Sequence, residues 1–163
     1  MKRIIIHWTA GTYNPTNHEK KCYHFLIDNK GESHNGFFKP EDNENCNDGK
    51  YAMHTGGGNT GSIGVAMCGM YVPKGINIKD TKFPLTRIQC EATFKLCADL
   101  CKKYNIKITP QTVMTHYEFG LAHPKTSSHG KIDITFLPPY PWVTQSEVGN
   151  FIRSKIKWYY QNS

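Results

Sequence analysis

No apolar run in this 163-residue sequence approaches the roughly 20 residues needed to cross a bilayer, which excludes a spanning helix and stable membrane insertion. Met1-Lys2-Arg3 followed by Ile4-Ile5-Ile6 opens like a secretion signal. The apolar stretch stops at His7, however, and no segment of about 7–15 apolar residues follows. The expectation is a chain made in the cytoplasm without an export signal of its own. Internal repeats and low-complexity linkers are also missing, leaving one domain over residues 1–163. Paired C-x-x-C spacing is absent among the six cysteines, so a structural zinc site has little support. A disulfide framework is disfavoured by the length of the chain. Cys90, Cys97 and Cys101 share a helical stripe with Phe94 and Tyr104, as reduced thiols acting as small core hydrophobes do.

Acidic residues are outnumbered, 13 against 20 basic ones, for a net charge of +7. That imbalance suits an acidic partner: nucleic acid, an anionic membrane, or a bacterial wall rich in carboxylates and phosphates. No nucleic-acid motif accompanies the charge, which argues against the first. A hydrophobic fraction of 38% and an aromatic fraction of 12% belong to a folded globular chain. Oligomeric state leaves no trace in the pattern.

Residues 3–7 read as a buried strand of β-branched residues, and 23–28 as a second, closed by the turn signal Asn29-Lys30-Gly31. A shorter strand is expected near 34–38, then loop over 39–59, an inner apolar strand over 62–68 and loop over 73–84. The clearest helix runs from Thr86 to Tyr104, with Thr86 and Gln89 at capping-box spacing and Leu85 set to staple onto Cys90. Residues 112–115 form a short strand ending at His116, followed by a polar loop over 117–130. A last helix over about 146–160 carries Val148, Ile152, Ile156 and Tyr159 on one face, which leaves Arg153, Lys155 and Lys157 in solvent. Strands and helices in this order predict a single α/β domain, a mixed central sheet flanked by α-helices.

Eight histidines are present, and position separates them. His7 and His116 each terminate an expected strand, where a sheet edge presents side chains to a cleft. Asp133 lies in Lys131-Ile132-Asp133, after a loop able to fold back over the same edge; His123 and His129 in that loop compete with it. Two imidazoles and one carboxylate would leave a zinc ion one open position, the pattern of a hydrolytic site.

Five segments strengthen this reading by their order: Ile4 to Ala10 (I-I-I-H-W-T-A), Tyr23 to Ile27 (Y-H-F-L-I), Asn59 to Val65 (N-T-G-S-I-G-V), Thr115 to Glu118 (T-H-Y-E) and Lys131 to Asp133. Together, from about residue 3 to 135, the chain resembles the N-acetylmuramoyl-L-alanine amidase type 2 family, which includes phage lysozyme-like amidases and peptidoglycan recognition proteins. The resemblance implies zinc held by His7, His116 and Asp133, with Tyr23 and Lys131 as catalytic partners. It implies hydrolysis of the bond joining N-acetylmuramic acid to L-alanine in bacterial peptidoglycan; a small, basic, single-domain chain with no expected export signal points to the setting of a phage or prophage endolysin. A muropeptide-recycling amidase and a non-catalytic peptidoglycan-binding module are the alternatives. Trp8 and Thr9 would line the sugar side of the groove. His54 and Thr55 precede Gly56-Gly57-Gly58, glycines that either admit a peptide stem close to the backbone or form a flexible loop. One departure stands out. Some family members carry a glutamate in the strand after Ser-Ile-Gly, where this chain has Val65-Ala66-Met67-Cys68. Glu118 is the nearest carboxylate in sequence to a candidate ligand that can replace it.

Overall fold

The computed structural model describes all 163 residues. Strand β1 (Arg3–Trp8) and strand β4 (Ser62–Met67) lie side by side and parallel at the centre of a five-stranded sheet. Their neighbours are β2 (Phe25–Ile27), parallel to β4, and β5 (Val113–Thr115), parallel to β1. An edge strand β3 (Ser33–Asn35) runs antiparallel to β2, giving the order β3-β2-β4-β1-β5. The sheet is therefore mixed and the fold is one α/β domain, as the sequence pattern indicates. Both central strands are covered on two faces, which is why they read as continuous apolar runs.

Alternation along β1 divides the interior. Ile4, Ile6 and Trp8 belong to a 23-residue core shared with Phe94, Cys97, Ile152 and Ile156. That face is covered by helices α2 (Arg87–Tyr104) and α4 (Val148–Gln161). Ile5 points the other way into a small cluster with Met114 and Phe119, and His7, two residues on, shares its side. All six cysteines are free, and Cys68, Cys90, Cys97 and Cys101 are buried.

Four local expectations need correction. The strand expected from Tyr23 starts only at Phe25, because Tyr23 closes helix α1 (Asn17–Cys22), whose Thr16 and Glu19 form a capping box. The short strand near 34–38 occupies Ser33–Asn35 instead. The polar loop after His116 is in fact helix α3 (His116–Ala122), capped by Thr115 with Glu118 at the third position. Arg153 is not solvated: it is 6% exposed, beneath α4 against Glu118. Lys155 is likewise engaged, 2.9 Å from Glu91.

Candidate metal centre

Register brings the two terminal histidines together. Ile6 of β1 sits opposite Thr115 of β5, so His7 in β1 and His116, the first residue of α3, follow side by side, their rings 4.7 Å apart. The chain after α3 returns over this edge and sets Asp133 between them. Asp133 Oδ2 lies 2.9 Å from His7 Nδ1 and 3.2 Å from His116 Nδ1. All three residues are buried, and their ligand atoms lie within 4.8 Å of one another.

The protons in this group can be assigned from the hydrogen-bond network. His54 Nε2 lies 3.2 Å from the Ser62 carbonyl, which only accepts, so that nitrogen carries the proton and Nδ1 accepts. His54 Nδ1 then accepts a hydrogen bond from the Thr55 hydroxyl at 2.7 Å, and His7 Nε2 points its N–H at the same nitrogen from 3.3 Å. On the other side, the Ser128 hydroxyl donates to the Gly56 carbonyl at 2.7 Å and accepts from His116 Nε2 at 3.0 Å. Both imidazoles are thus protonated at Nε2, and both Nδ1 lone pairs face the Asp133 oxygen. Three acceptors facing one point suit a cation. A proton is the poorer candidate, because burial lowers the His7 pKa even though Asp133 pulls it back up. Burial likewise drives His54 well below the ordinary histidine value. Burial also works against the Asp133 charge, yet the neighbouring His116 and His7 outweigh it and hold its pKa below the usual carboxylate range. Two imidazole nitrogens and a carboxylate oxygen form a donor set that fits a zinc ion.

A cleft opens over this group, bordered by Thr9, Tyr23, Met53, His54 and Lys131 among others. Tyr23 packs its ring 5.1 Å from that of His7, and burial followed by the Asp133 charge pushes its hydroxyl pKa well up, so it remains a donor. Lys131 is exposed at the rim. Trp8 and Gly56 border the same cleft. Trp8 is only 3% exposed, since alternation sends its ring to the face opposite His7, against Phe136. Thr9 spends its hydroxyl accepting from Gly11 and Gly69 amides. Thr55 is fully buried, with its hydroxyl against His54 Nδ1. The space a Cβ would take at Gly56, Gly57 and Gly58 is filled by this chain's own Ser127, Thr126 and Phe119, and Gly56 also borders the cleft. His123 stacks on Phe119 at 4.1 Å, and neither it nor His129 joins the group. Glu118 turns away to Arg153 and the Thr115 amide. Ser128, 1% exposed and bonded to His116, is a residue that no sequence pattern marked.

Known proteins share this arrangement of strands and helices. LysC, an N-acetylmuramoyl-L-alanine amidase from Clostridium intestinale URNW, superimposes with a TM-score of 0.56 and 18% identity, covering 96% of this chain and 85% of that chain. A mutant of PlyL gives 0.53 and 22%, over 96% and 84%. AmiD from E. coli, solved with the substrate anhydro-N-acetylmuramic acid-L-Ala-D-gamma-Glu-L-Lys, gives 0.57 and 19%, over 95% of this chain and 57% of that chain. No curated protein matches in sequence. The model of one family, described as N-acetylmuramoyl-L-alanine amidase, matches residues 1–133, a span that holds His7, His116 and Asp133 but stops short of α4. The chain belongs to the N-acetylmuramoyl-L-alanine amidase family.

Proposed function

We propose that this protein is a zinc-dependent amidase that hydrolyses the bond between the lactyl group of N-acetylmuramic acid and the L-alanine of the peptide stem in bacterial peptidoglycan. The observation that carries the reading is the convergence of His7 Nδ1, His116 Nδ1 and Asp133 Oδ2 beneath an open cleft. When bound there, zinc supplies Lewis acidity and lowers the pKa of a coordinated water from about 15.7 towards about 7.

The chain's own residues do the rest. His54, Thr55 and Ser128 hold the two imidazoles in the tautomer that frees Nδ1. Lys131 brings an ammonium to the cleft, where negative charge develops on the amide oxygen, and the Tyr23 hydroxyl lines the same cleft as a donor. No carboxylate base enters from β4, because Val65, Ala66, Met67 and Cys68 are buried and apolar. Glu118 is held by Arg153. Proton transfer therefore falls to the water and to Tyr23 and Lys131.

The net charge of +7 suits a wall carrying carboxylates and phosphates. We place the enzyme as a phage or prophage endolysin, made in the cytoplasm and acting on the wall once the membrane is breached. Mass spectrometry after incubation with purified sacculi tests this, with and without a chelator. The expected products are free stem peptides beginning with L-alanine, lost on chelation. Sugar-linked fragments would mean that a different bond is cut. Cleavage of soluble anhydro-muropeptides but not of sacculi would replace the lysin with a recycling enzyme, and binding without cleavage would make it a recognition module.

A further inference from the structure

The chain between the short 3-10 turn Pro40–Glu44 and strand β4 has little packing to hold it. From Glu44 to Tyr51 no residue is buried, so a core does not decide where the chain re-enters at Ala52. His54 and Thr55, just beyond, are nevertheless buried and stand against His7.

One side chain supplies the anchor. Asn43, 0% exposed, accepts at Oδ1 from the Ala52 amide at 2.9 Å and from His24 Nε2 at 2.9 Å. Its Nδ2 donates to the Ala52 carbonyl at 3.0 Å and to the Asn59 carbonyl at 3.1 Å. A side-chain amide offers two lone pairs and two N–H donors, so all four are spent and its orientation is fixed. The Asn43 carbonyl also takes the Gly61 amide at 2.7 Å, which ties both ends of the loop to one buried residue.

Two routes lead from this amide towards the metal centre. Ala52 lies two residues before His54, and the Asn59 side chain accepts the Thr55 amide at 2.8 Å. His24, held at Nε2 by Asn43, accepts the Gly64 amide at 3.0 Å and meets the His54 ring edge-on at 5.6 Å. The His54 ring itself lies over Gly64, where a Cβ would fall 2.5 Å from its Cγ.

We propose that Asn43 is a positioning residue of the metal centre: its amide sets the place of His54, which in turn holds His7 with Nδ1 towards Asp133. The inference rests on the metal-centre reading and adds a residue remote from the reacting atoms. None of the Asn43 side-chain bonds goes to His7, His116 or Asp133, and Asn43 does not line the cleft. A buried polar network specifies one arrangement only while every member is satisfied, which gives this amide its reach.

Competition against a chromogenic chelator tests the link, using wild type, Asn43→Ala, His54→Ala and the double variant. Groups that orient metal-binding histidines are worth about 10–100-fold in affinity, and Asn43→Ala should lose about tenfold. The double variant should bind zinc as His54→Ala alone does, because Asn43 acts through His54. Unchanged affinity in Asn43→Ala overturns the proposal. So do equal losses with and without His54, the result of a general loosening of the fold. Asn43→Ser repeats the cycle should Asn43→Ala fail to fold. Should wild type bind no zinc, the metal reading fails, and the imidazole nitrogen resonances of His54 then decide the role of Asn43. A single tautomer protonated at Nε2 in wild type, and two exchanging tautomers in Asn43→Ser, support it; the same single tautomer in both overturns it.

Discussion

Arg153 grips Glu118 across 35 residues of sequence, with Nη1 2.9 Å from Oε1 and Nη2 2.9 Å from Oε2. Nη1 also reaches the Val113 carbonyl at 2.9 Å, and Nη2 the Asn150 side chain at 2.8 Å. Glu118 Oε1 in turn accepts the Thr115 amide, so one guanidinium ties the end of β5 to the first turn of α3. His116 lies between those two anchors. Gly149, one turn before Arg153, makes the approach possible, because a Cβ there would fall 2.2 Å from Glu118 Oε2. The C-terminal helix, outside the family-matched span, thus clamps the segment bearing a candidate ligand.

Replacing Arg153 by Met should cost about 3–5 kcal/mol, since it strands a partly buried carboxylate. At about 2–4 °C per kcal/mol the melting temperature falls by roughly 6–20 °C. A lysine side chain can neither fork nor reach the Val113 carbonyl as well, so Arg153→Lys should recover little. Thermal melts of the metal-free variants check this, and full recovery in Arg153→Lys would show that only the charge matters.

Ser128 predicts a subtler effect. Ser128→Ala removes the acceptor that holds His116 Nε2 and should weaken zinc affinity about 10–100-fold. Competition against a chromogenic chelator measures it. Unchanged affinity would mean that the His116 tautomer is set by something other than Ser128.

Much of this was legible because it is local. The apolar runs of β1 and β4, the Thr86–Gln89 cap of α2 and the placement of His7 near the end of β1 and of His116 just past β5 are all written in neighbouring residues. Helix α3 was legible too, since Thr115 and Glu118 have capping-box spacing, but it has only seven residues and a glycine near its end, so its composition reads as loop. Arg153 was misread for a different reason. Periodicity places it off the apolar face of α4 and cannot show a carboxylate arriving from α3. Ser128 and Thr55 gain their roles only when two loops meet at Gly56, a contact without a one-dimensional signature.

Metal should also stabilise the fold, because a preformed site binds the native chain and not the unfolded one. With zinc at about 1,000 times its Kd the gain is about 4 kcal/mol, so chelation should lower the melting temperature by roughly 8–16 °C. In Asp133→Ala the bound zinc, measured by atomic emission, should fall below stoichiometric and the chelation shift should vanish. Retained zinc would remove Asp133 from the ligand set.

Stability should fall on mild acidification. His24 is 1% exposed, accepting the Gly64 amide at Nδ1 and donating from Nε2 to Asn43. Burial, only partly opposed by Asn43, lowers its pKa to about 4. An unfolded chain protonates this histidine near 6.5 and the native chain does not. The contribution is therefore complete above pH 6.5 and lost as pH falls towards 4, up to roughly 3 kcal/mol. Buried His7 and His54 are shifted in the same direction. Urea unfolding of metal-free protein at pH 7, 5.5 and 4.5 should show the decline, flattened in His24→Gln. A stability constant over that range would contradict the neutral buried state.

Tyr23 and Lys131 separate chemistry from metal binding. Neither is among the three residues that converge on the centre, so Tyr23→Phe and Lys131→Met should keep stoichiometric zinc. Each removes one donor from the cleft in which the oxyanion forms, which should lower kcat about 100–1,000-fold with a much smaller change in KM. The double variant should lose less than the product of the two single effects if both donors serve the same oxygen, because groups acting as a unit are non-additive. Near-wild-type kcat in either single variant, with zinc retained, would remove that residue from the reaction.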